Sequence, residues 1–277
     1  MSVIASDLTK IYRLKGKAFK TAVDKVSFEI PDGQITAFIG PNGAGKSTTI
    51  KMLTGILTPD GGSVSINGLC YPKDRKKIML KIGTVFGQKS VLCWDIPVLD
   101  TLKLFKDMYG VPDADYKRNM EMFADILGLN EFIAQPPRLL SLGQRMKADL
   151  AASLLHNPEI LFLDEPTIGI DVLSKERIRN FILQVNKERK TTVILTTHDV
   201  SDIETLCEKM MVIDKGLLLY DGSLTELKAL YKTIDLEEII KRIYSGNIIT
   251  SKTTIEGLPH KPQHSRSRKC SREQRYC

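Results

Sequence analysis

Long apolar runs are missing from this sequence. No stretch approaches the roughly 18 consecutive apolar residues of a membrane-spanning helix, so a bilayer-crossing role as a helix is excluded. The start, MSVIASDLTKIYRLKGK, lacks the apolar core and cleavage site of a secretory signal, and a cytosolic chain is the expectation. Cysteine is scarce, with five residues at positions 70, 93, 207, 270 and 277 and no CxxC. The odd count and open spacing predict reduced thiols rather than a disulfide framework. His260, His264, Cys270 and Cys277 miss the usual zinc spacings, so a frayed end is expected there and not a metal site. A uniformly basic surface is absent as well. The net charge is +7, but residues 257–277 carry +5 of it, which leaves a nearly neutral body with no expected nucleic-acid groove.

What is present is a folded α/β pattern, with 42% hydrophobic and 26% charged residues. Val3–Leu8 and Val26–Ile30 read as strands. A buried strand, Gln34–Ile39, is led by the turn Asp32-Gly33 and followed by Gly40-Pro41-Asn42-Gly43-Ala44-Gly45-Lys46-Ser47-Thr48. Ile50, Met52, Leu53 and Ile56 then recur at helical spacing. Short strands follow at Gly61–Ile66 and Ile82–Phe86. Between about 98 and 156 the texture is helical, with helices around Leu99–Met108, Tyr116–Leu127 and Leu142–Leu155; His156 should close the last as a partner of the helix dipole. Ile160–Leu163 and Thr191–Thr196 are apolar strands, and Ser174–Lys190 is a helix that Ser174 should cap. Asp214-Lys215-Gly216 marks a hairpin. Alternating strands and helices imply a largely parallel sheet.

The segment Gly40–Ser47 satisfies GxxxxGK[ST] in a strand–loop–helix setting. Glycines let backbone N–H groups approach phosphate oxygens, and the helix aims its positive end at the anion. Lys46 can reach the β- and γ-phosphates, and the Ser47 hydroxyl can ligate Mg²⁺. Asp164 and Glu165 end a strand, where a parallel sheet presents ligand residues; Asp164 can hold Mg²⁺ through water and Glu165 can act as general base on the attacking water. Leu140-Ser141-Leu142-Gly143-Gln144 is a second anion-binding helix start. It lies far along the chain from Phe86, in the helical block, and a γ-phosphate contact from it points to another subunit.

In this order, Gly40–Thr48, Gln88, Leu140–Gln144, Ile160–Glu165, Gly169-Ile170-Asp171 and His198 resemble ABC transporter ATPase subunits over roughly residues 3–230. Val85–Ser90, Trp94–Val98 and Leu161–Gly169 look like the branch that powers export through separate type-two permeases, as in antibiotic and daunorubicin-like efflux. The resemblance implies a P-loop NTPase fold: an ABC cassette with a mostly parallel core sheet, an antiparallel β part and an inserted helical subdomain. It implies ATP and Mg²⁺ as cofactors. Tyr12 matches the aromatic that stacks on adenine, Gln88 the sensor of Mg²⁺ and water, and Ser141, Gly143 and Gln144 the cross-dimer signature. Asp171 matches the loop between the two sites, and His198 the γ-phosphate histidine. Glu165, His198 and Gln88 are the implied catalytic set; Ser47, Gln88 and Asp164 the implied metal set. Leu142 stands where the family pattern has a glycine.

The expectation is a cassette over residues 1–230 with a helical insert at about 89–156, a short helical extension at 231–250 and a basic, disordered tail at 251–277. The expected function is ATP hydrolysis in a head-to-tail dimer, or with a homologous ATPase partner, at the cytoplasmic face of the membrane. Export would run through integral-membrane permease subunits, which supply the membrane contact. An importer ATPase and a soluble non-transport ABC ATPase are the alternatives. A switch GTPase is disfavoured because NKxD is absent: Asn186-Lys187-Glu188 is followed by Arg189.

Overall fold

The computed structural model describes residues 3–14, 18–87 and 89–245. In chain order these form β1 (Val3–Arg13), β2 (Phe19–Ile30), β3 (Ile35–Ile39), α1 (Lys46–Leu53), β4 (Gly61–Ile66), β5 (Leu69–Cys70), α2 (Arg75–Met79) and β6 (Ile82–Phe86). Next come α3 (Val98–Tyr109), α4 (Asp113–Leu127), α5 (Leu142–Leu154), β7 (Ile160–Asp164), α6 (Val172–Arg189) and β8 (Thr192–Thr196). The described chain closes with α7 (Val200–Leu206), β9 (Lys209–Asp214), β10 (Leu217–Ser223), α8 (Leu224–Tyr231) and α9 (Leu236–Tyr244).

Two sheets result. The larger has the order β10-β9-β3-β8-β7-β6, parallel throughout except for the β9–β10 hairpin. The smaller is antiparallel, in the order β2-β1-β4-β5. Strand alternation assigns the two faces of the larger sheet. Ile35, Ala37 and Ile39 of β3, with Leu161 and Leu163 of β7, face the helices α3 to α9. Phe38, Phe162 and Ile194 face the other way, onto α1 and the small sheet. A parallel sheet covered on both faces reads as continuous apolar runs, and β3 and β8 are buried at every position. The site-bearing ends of these strands are thereby fixed from both sides.

Several expectations need correction. The first two strands are longer than their apolar patterns, because their outer ends pair while exposed: Ile11, Tyr12 and Phe19 are 41%, 38% and 71% exposed. Asp171, not Ser174, caps α6; its carboxylate accepts the Ser174 N–H at 2.9 Å, so the helix begins at Val172. His156 is no charged dipole partner. Its ring stacks on Tyr109 with centroids 4.0 Å apart, Nε2 donates to Ile82 O (3.1 Å), and burial lowers its pKa, which favours the neutral imidazole. Cys93 and Cys207 are free thiols. No helix among the described residues is long and apolar enough to cross a membrane. The possible zinc residues, His260, His264, Cys270 and Cys277, and the basic tail lie outside the described residues.

Candidate functional site: a phosphate cleft and a separate helix start

β3 runs directly into the glycine loop, and the loop's glycines are demanded by contact. A Cβ on Gly40 would meet Ile213 O at 2.2 Å, and one on Gly45, which has φ of 116°, would meet Ala22 O at 2.6 Å. Only glycine lets the loop sit this close to β9 and β2. The loop holds itself with Ala44 N–H on Pro41 O (3.1 Å), and α1 starts at Lys46 without a side-chain cap. The first-turn N–H groups of a helix have no intrahelical partners, so this end is a ready anion site.

Tyr12, Asn42, Gly43, Gly45, Lys46, Ser47, Thr48 and Glu165 line one cleft of about 260 Å³. Larger hollows lie elsewhere, about 980 Å³ between α7 and α9 and about 780 Å³ between α4 and α6, and neither includes the glycine loop. Lys46 is only 6% exposed; Nζ donates to Gly40 O (2.6 Å) and Pro41 O (3.3 Å) and lies 3.3 Å from His198 Nε2. Burial pulls its pKa below the ordinary lysine value, and the Glu165 and Asp164 carboxylates oppose that. The buried ammonium and the row of backbone donors suit a polyanion, and the two carboxylates suit a cation bound with it.

The acids stand on the facing strand end. Ser47 Oγ and Thr196 Oγ1 both donate to Asp164 Oδ1, at 3.4 and 2.5 Å. Glu165 has φ of 55°, in the left-handed region that costs a side-chain-bearing residue about 1 kcal/mol. Its N–H donates to Thr196 O and Thr196 Oγ1, both at 3.0 Å, which holds that conformation. Gly87 permits the approach from β6, since a Cβ there would meet Glu165 O at 2.6 Å. Glu165 Oε1 lies 3.0 Å from His198 Nε2, the shorter of that nitrogen's two contacts. With its hydrogen on Nε2, His198 donates to the carboxylate and orients it. Among the described residues no cluster of three or more acidic, histidine or cysteine groups could hold a metal alone. Ser47 and Asp164 offer hard oxygens that fit Mg²⁺ only if phosphate oxygens complete the set.

Ser141, Gly143, Gln144 and Asp171 do not line this cleft. They gather at the starts of α5 and α6. Ser141 and Gln144 form a reciprocal capping box, Gln144 N–H to Ser141 Oγ (3.2 Å) and Ser141 N–H to Gln144 Oε1 (3.0 Å). A Cβ on Gly143 would fall 2.9 Å from Ser174 Oγ and 3.4 Å from Asp171 Oδ2. The Ser174 N–H and hydroxyl hold the Asp171 carboxyl below its usual range. Leu142 packs toward Gly169, its Cδ2 3.2 Å from where a Cβ would stand. Gln88 lies outside the described residues.

Sequence reasoning missed two groups. Thr196 bridges Asp164 and Glu165, and its only signal was its place at the end of an apolar strand. Asp202, fully buried, accepts from Thr167 (2.5 Å), Thr197 (2.9 Å) and Arg179 Nε (2.6 Å), tying the segment after Glu165 to the residue before His198.

The comparisons with known proteins agree with this geometry. The family model described as ABC transporter matches residues 23–168. The linearmycin resistance ATP-binding protein LnrL of Bacillus subtilis is 34% identical over 223 residues, covering 80% of this chain and 70% of that protein. The methionine import ATP-binding protein MetN 2 of Enterococcus faecalis is 31% identical over 248 residues, covering 88% and 72%. Among solved structures, a dimeric post-hydrolysis ATP-binding cassette with ADP and phosphate superposes with a TM-score of 0.72 at 26% identity, covering 80% of this chain and 98% of that one. A chain with this glycine loop, this acid pair and these relatives belongs to the ABC transporter family, as an ATP-binding and ATP-hydrolysing subunit.

Proposed function

We propose that the chain binds Mg-ATP at Lys46, pairs head to tail with a second cassette, and uses hydrolysis to drive export through separate membrane permease subunits at the cytoplasmic face. The observation that carries the reading is that Lys46, Ser47 and Glu165 line one cleft, with His198 in contact with Lys46 and Glu165 and Asp164 in contact with Ser47, while the Ser141 helix start lies outside that cleft. A second protomer turned end for end would bring its Ser141, Gly143 and Gln144 onto the γ-phosphate held by the first. Ile168, Val172 and Leu173, beside Asp171, are 48%, 80% and 73% exposed, an apolar patch suited to such a contact.

The roles follow. Tyr12, 38% exposed at the cleft, stacks on adenine. The loop Gly40–Thr48 cradles the phosphates, and Gln88 senses the metal and the water. Ser47, Gln88 and Asp164 would hold Mg²⁺, which would supply neutralisation of phosphate charge. Glu165 takes a proton from the attacking water while His198 keeps its carboxylate aimed. Asp171 links the two sites. Trp94, 51% exposed beneath the Arg145 guanidinium, belongs to the permease-facing surface. Export is favoured by relatives named for linearmycin resistance and Nod factor export. The methionine import relative supports a second reading, the same engine in an importer.

Size-exclusion chromatography of Glu165→Gln with Mg-ATP tests the shared site. The variant keeps the cradle but loses the base, so it should accumulate as a dimer, whereas Lys46→Ala should stay monomeric. A Glu165→Gln protein that binds ATP and remains monomeric contradicts the head-to-tail arrangement.

A further inference from the structure

The cleft at the glycine loop has a second cation on its wall. Lys20 and Ala22 line it together with Tyr12 and the loop. β2 passes the loop at Ala22, whose carbonyl oxygen lies 2.6 Å from where a Cβ on Gly45 would stand. Lys20 lies two residues nearer the start of β2, about 7 Å along the strand. There it pairs in register with Tyr12 of β1. Directly opposed residues of an antiparallel pair put their side chains on the same face, so Lys20 stands beside Tyr12.

The pairing is built by a register shift. Lys10 pairs with Val23 and Ile11 with Thr21, which leaves Ala22 as the extra residue of a bulge beside the loop. Beyond the shift, Ile11 N–H donates to Asp60 Oδ2 (2.7 Å) and Lys10 Nζ to Asp60 Oδ1 (3.1 Å), so β1 is pinned one residue before Tyr12. Alternation sends Ile11 and Arg13, with Thr21 and Phe19 opposite them, to the other face, and none of the four lines the cleft. The Lys20 ammonium makes no hydrogen bond or ion pair with another described residue. Lys46, the other cation of the cleft, is engaged at the loop by Gly40 O and Pro41 O.

We propose that Lys20 is a further nucleotide-binding residue, a cation for the α-phosphate that ATP and ADP share. The inference rests on the reading above, in which Tyr12 stacks on adenine and the glycine loop cradles the phosphates. A nucleotide held at both places carries its ribose and α-phosphate across the interval between Tyr12 and the loop. Lys20 is the cation of that interval. Its flexible four-carbon stem delivers a point charge to one phosphate rather than a bidentate fork. Such a contact is the same for substrate and product, so it lowers KM without raising kcat.

Isothermal titration calorimetry of the full-length chain with Mg-ATP and with Mg-ADP, beside steady-state kinetics, tests this. Lys20→Ala should raise the Kd of both nucleotides on the order of 5- to 20-fold, the worth of a partly exposed charge-assisted contact. KM for ATP should rise by a similar factor while kcat stays within about twofold. Lys20→Arg keeps the charge and should hold both Kd values within about threefold of wild type. Arg13→Ala removes a charge of the same sign from the opposite face and should leave them unchanged. An unchanged Kd for Mg-ADP in Lys20→Ala would overturn the proposal. So would a loss confined to Mg-ATP, which would put the ammonium at the γ-phosphate. A loss as large in Arg13→Ala would overturn it as well, because the effect would then be one of net charge. Failure of the underlying reading looks different, because wild type itself would then bind neither nucleotide.

Discussion

The two helix starts proposed to meet phosphate, those of α1 and α5, are built in opposite ways. At the start of α1 the loop is pressed against β2 and β9, Lys46 is buried, and the helix has no side-chain cap. Its donors remain for a ligand. At the start of α5 the helix caps itself through Ser141 and Gln144, and both residues stay partly or fully exposed. A rigid, uncapped end can bind an anion alone. A self-capped, exposed end must be opened by a second contact, as expected of a half-site completed only on dimerisation.

The largest expected effect strikes the rigid end. Glu165→Gln should reduce turnover by about 10² to 10⁴, the usual worth of a positioned general base, while ATP binding, followed by equilibrium dialysis, survives. A variant with near-wild-type turnover would remove Glu165 from that role. Next, Gly45→Ala should lose ATP binding without large unfolding, because the new methyl meets Ala22 O and the φ of 116° opposes it. Retained binding would show that the cradle has slack the contacts deny. Ser141→Ala tests the other end: losing the cap should cost about 0.5–2 kcal/mol, read as a modest fall in thermal midpoint, with ATP affinity of the monomer unchanged. A fall in monomer affinity would mean that the helix start serves its own cleft.

These ends also differ in how legible they were. Gly40–Thr48 could be read from sequence because its chemistry is local, backbone donors and one lysine within a few residues. The acid pair was legible from the strand it ends. Thr196 and Asp202 were not, since each acts through partners about 30 residues away or buried between helices, and nothing in β-branched or acidic identity marks them. The fold class followed from alternation of strands and helices. The outer parts of β1 and β2 did not, because backbone pairing continues there after burial has stopped. The start of α6 was misplaced for a related reason: Asp171 and Ser174 are both good caps, and geometry chose the acid.

The smallest expected effect concerns His156, which follows α5. Its folded pKa lies below the unfolded value of about 6.5, so the native state disfavours the proton. Its contribution to stability is therefore present above that value and is lost as pH falls through it. Thermal midpoints at pH 7.5 and 5.5 should differ more in wild type than in His156→Phe, and an equal difference would remove His156 as a source of acid sensitivity.

The most direct measurement mixes two crippled chains. Lys46→Ala destroys the rigid end and leaves Ser141 intact; Ser141→Arg blocks the self-capped end and leaves the cradle intact. Each alone should be inactive. In a head-to-tail dimer the mixed pair contains one whole site, the cradle of one chain facing the Ser141 end of the other. With one whole site of two in each mixed pair, ATPase activity should return to about a quarter of wild type if chains pair at random, and towards about a half if only mixed pairs close. If every site were built within one chain, no mixture could restore one, and a mixture as inactive as its components would contradict the shared-site dimer.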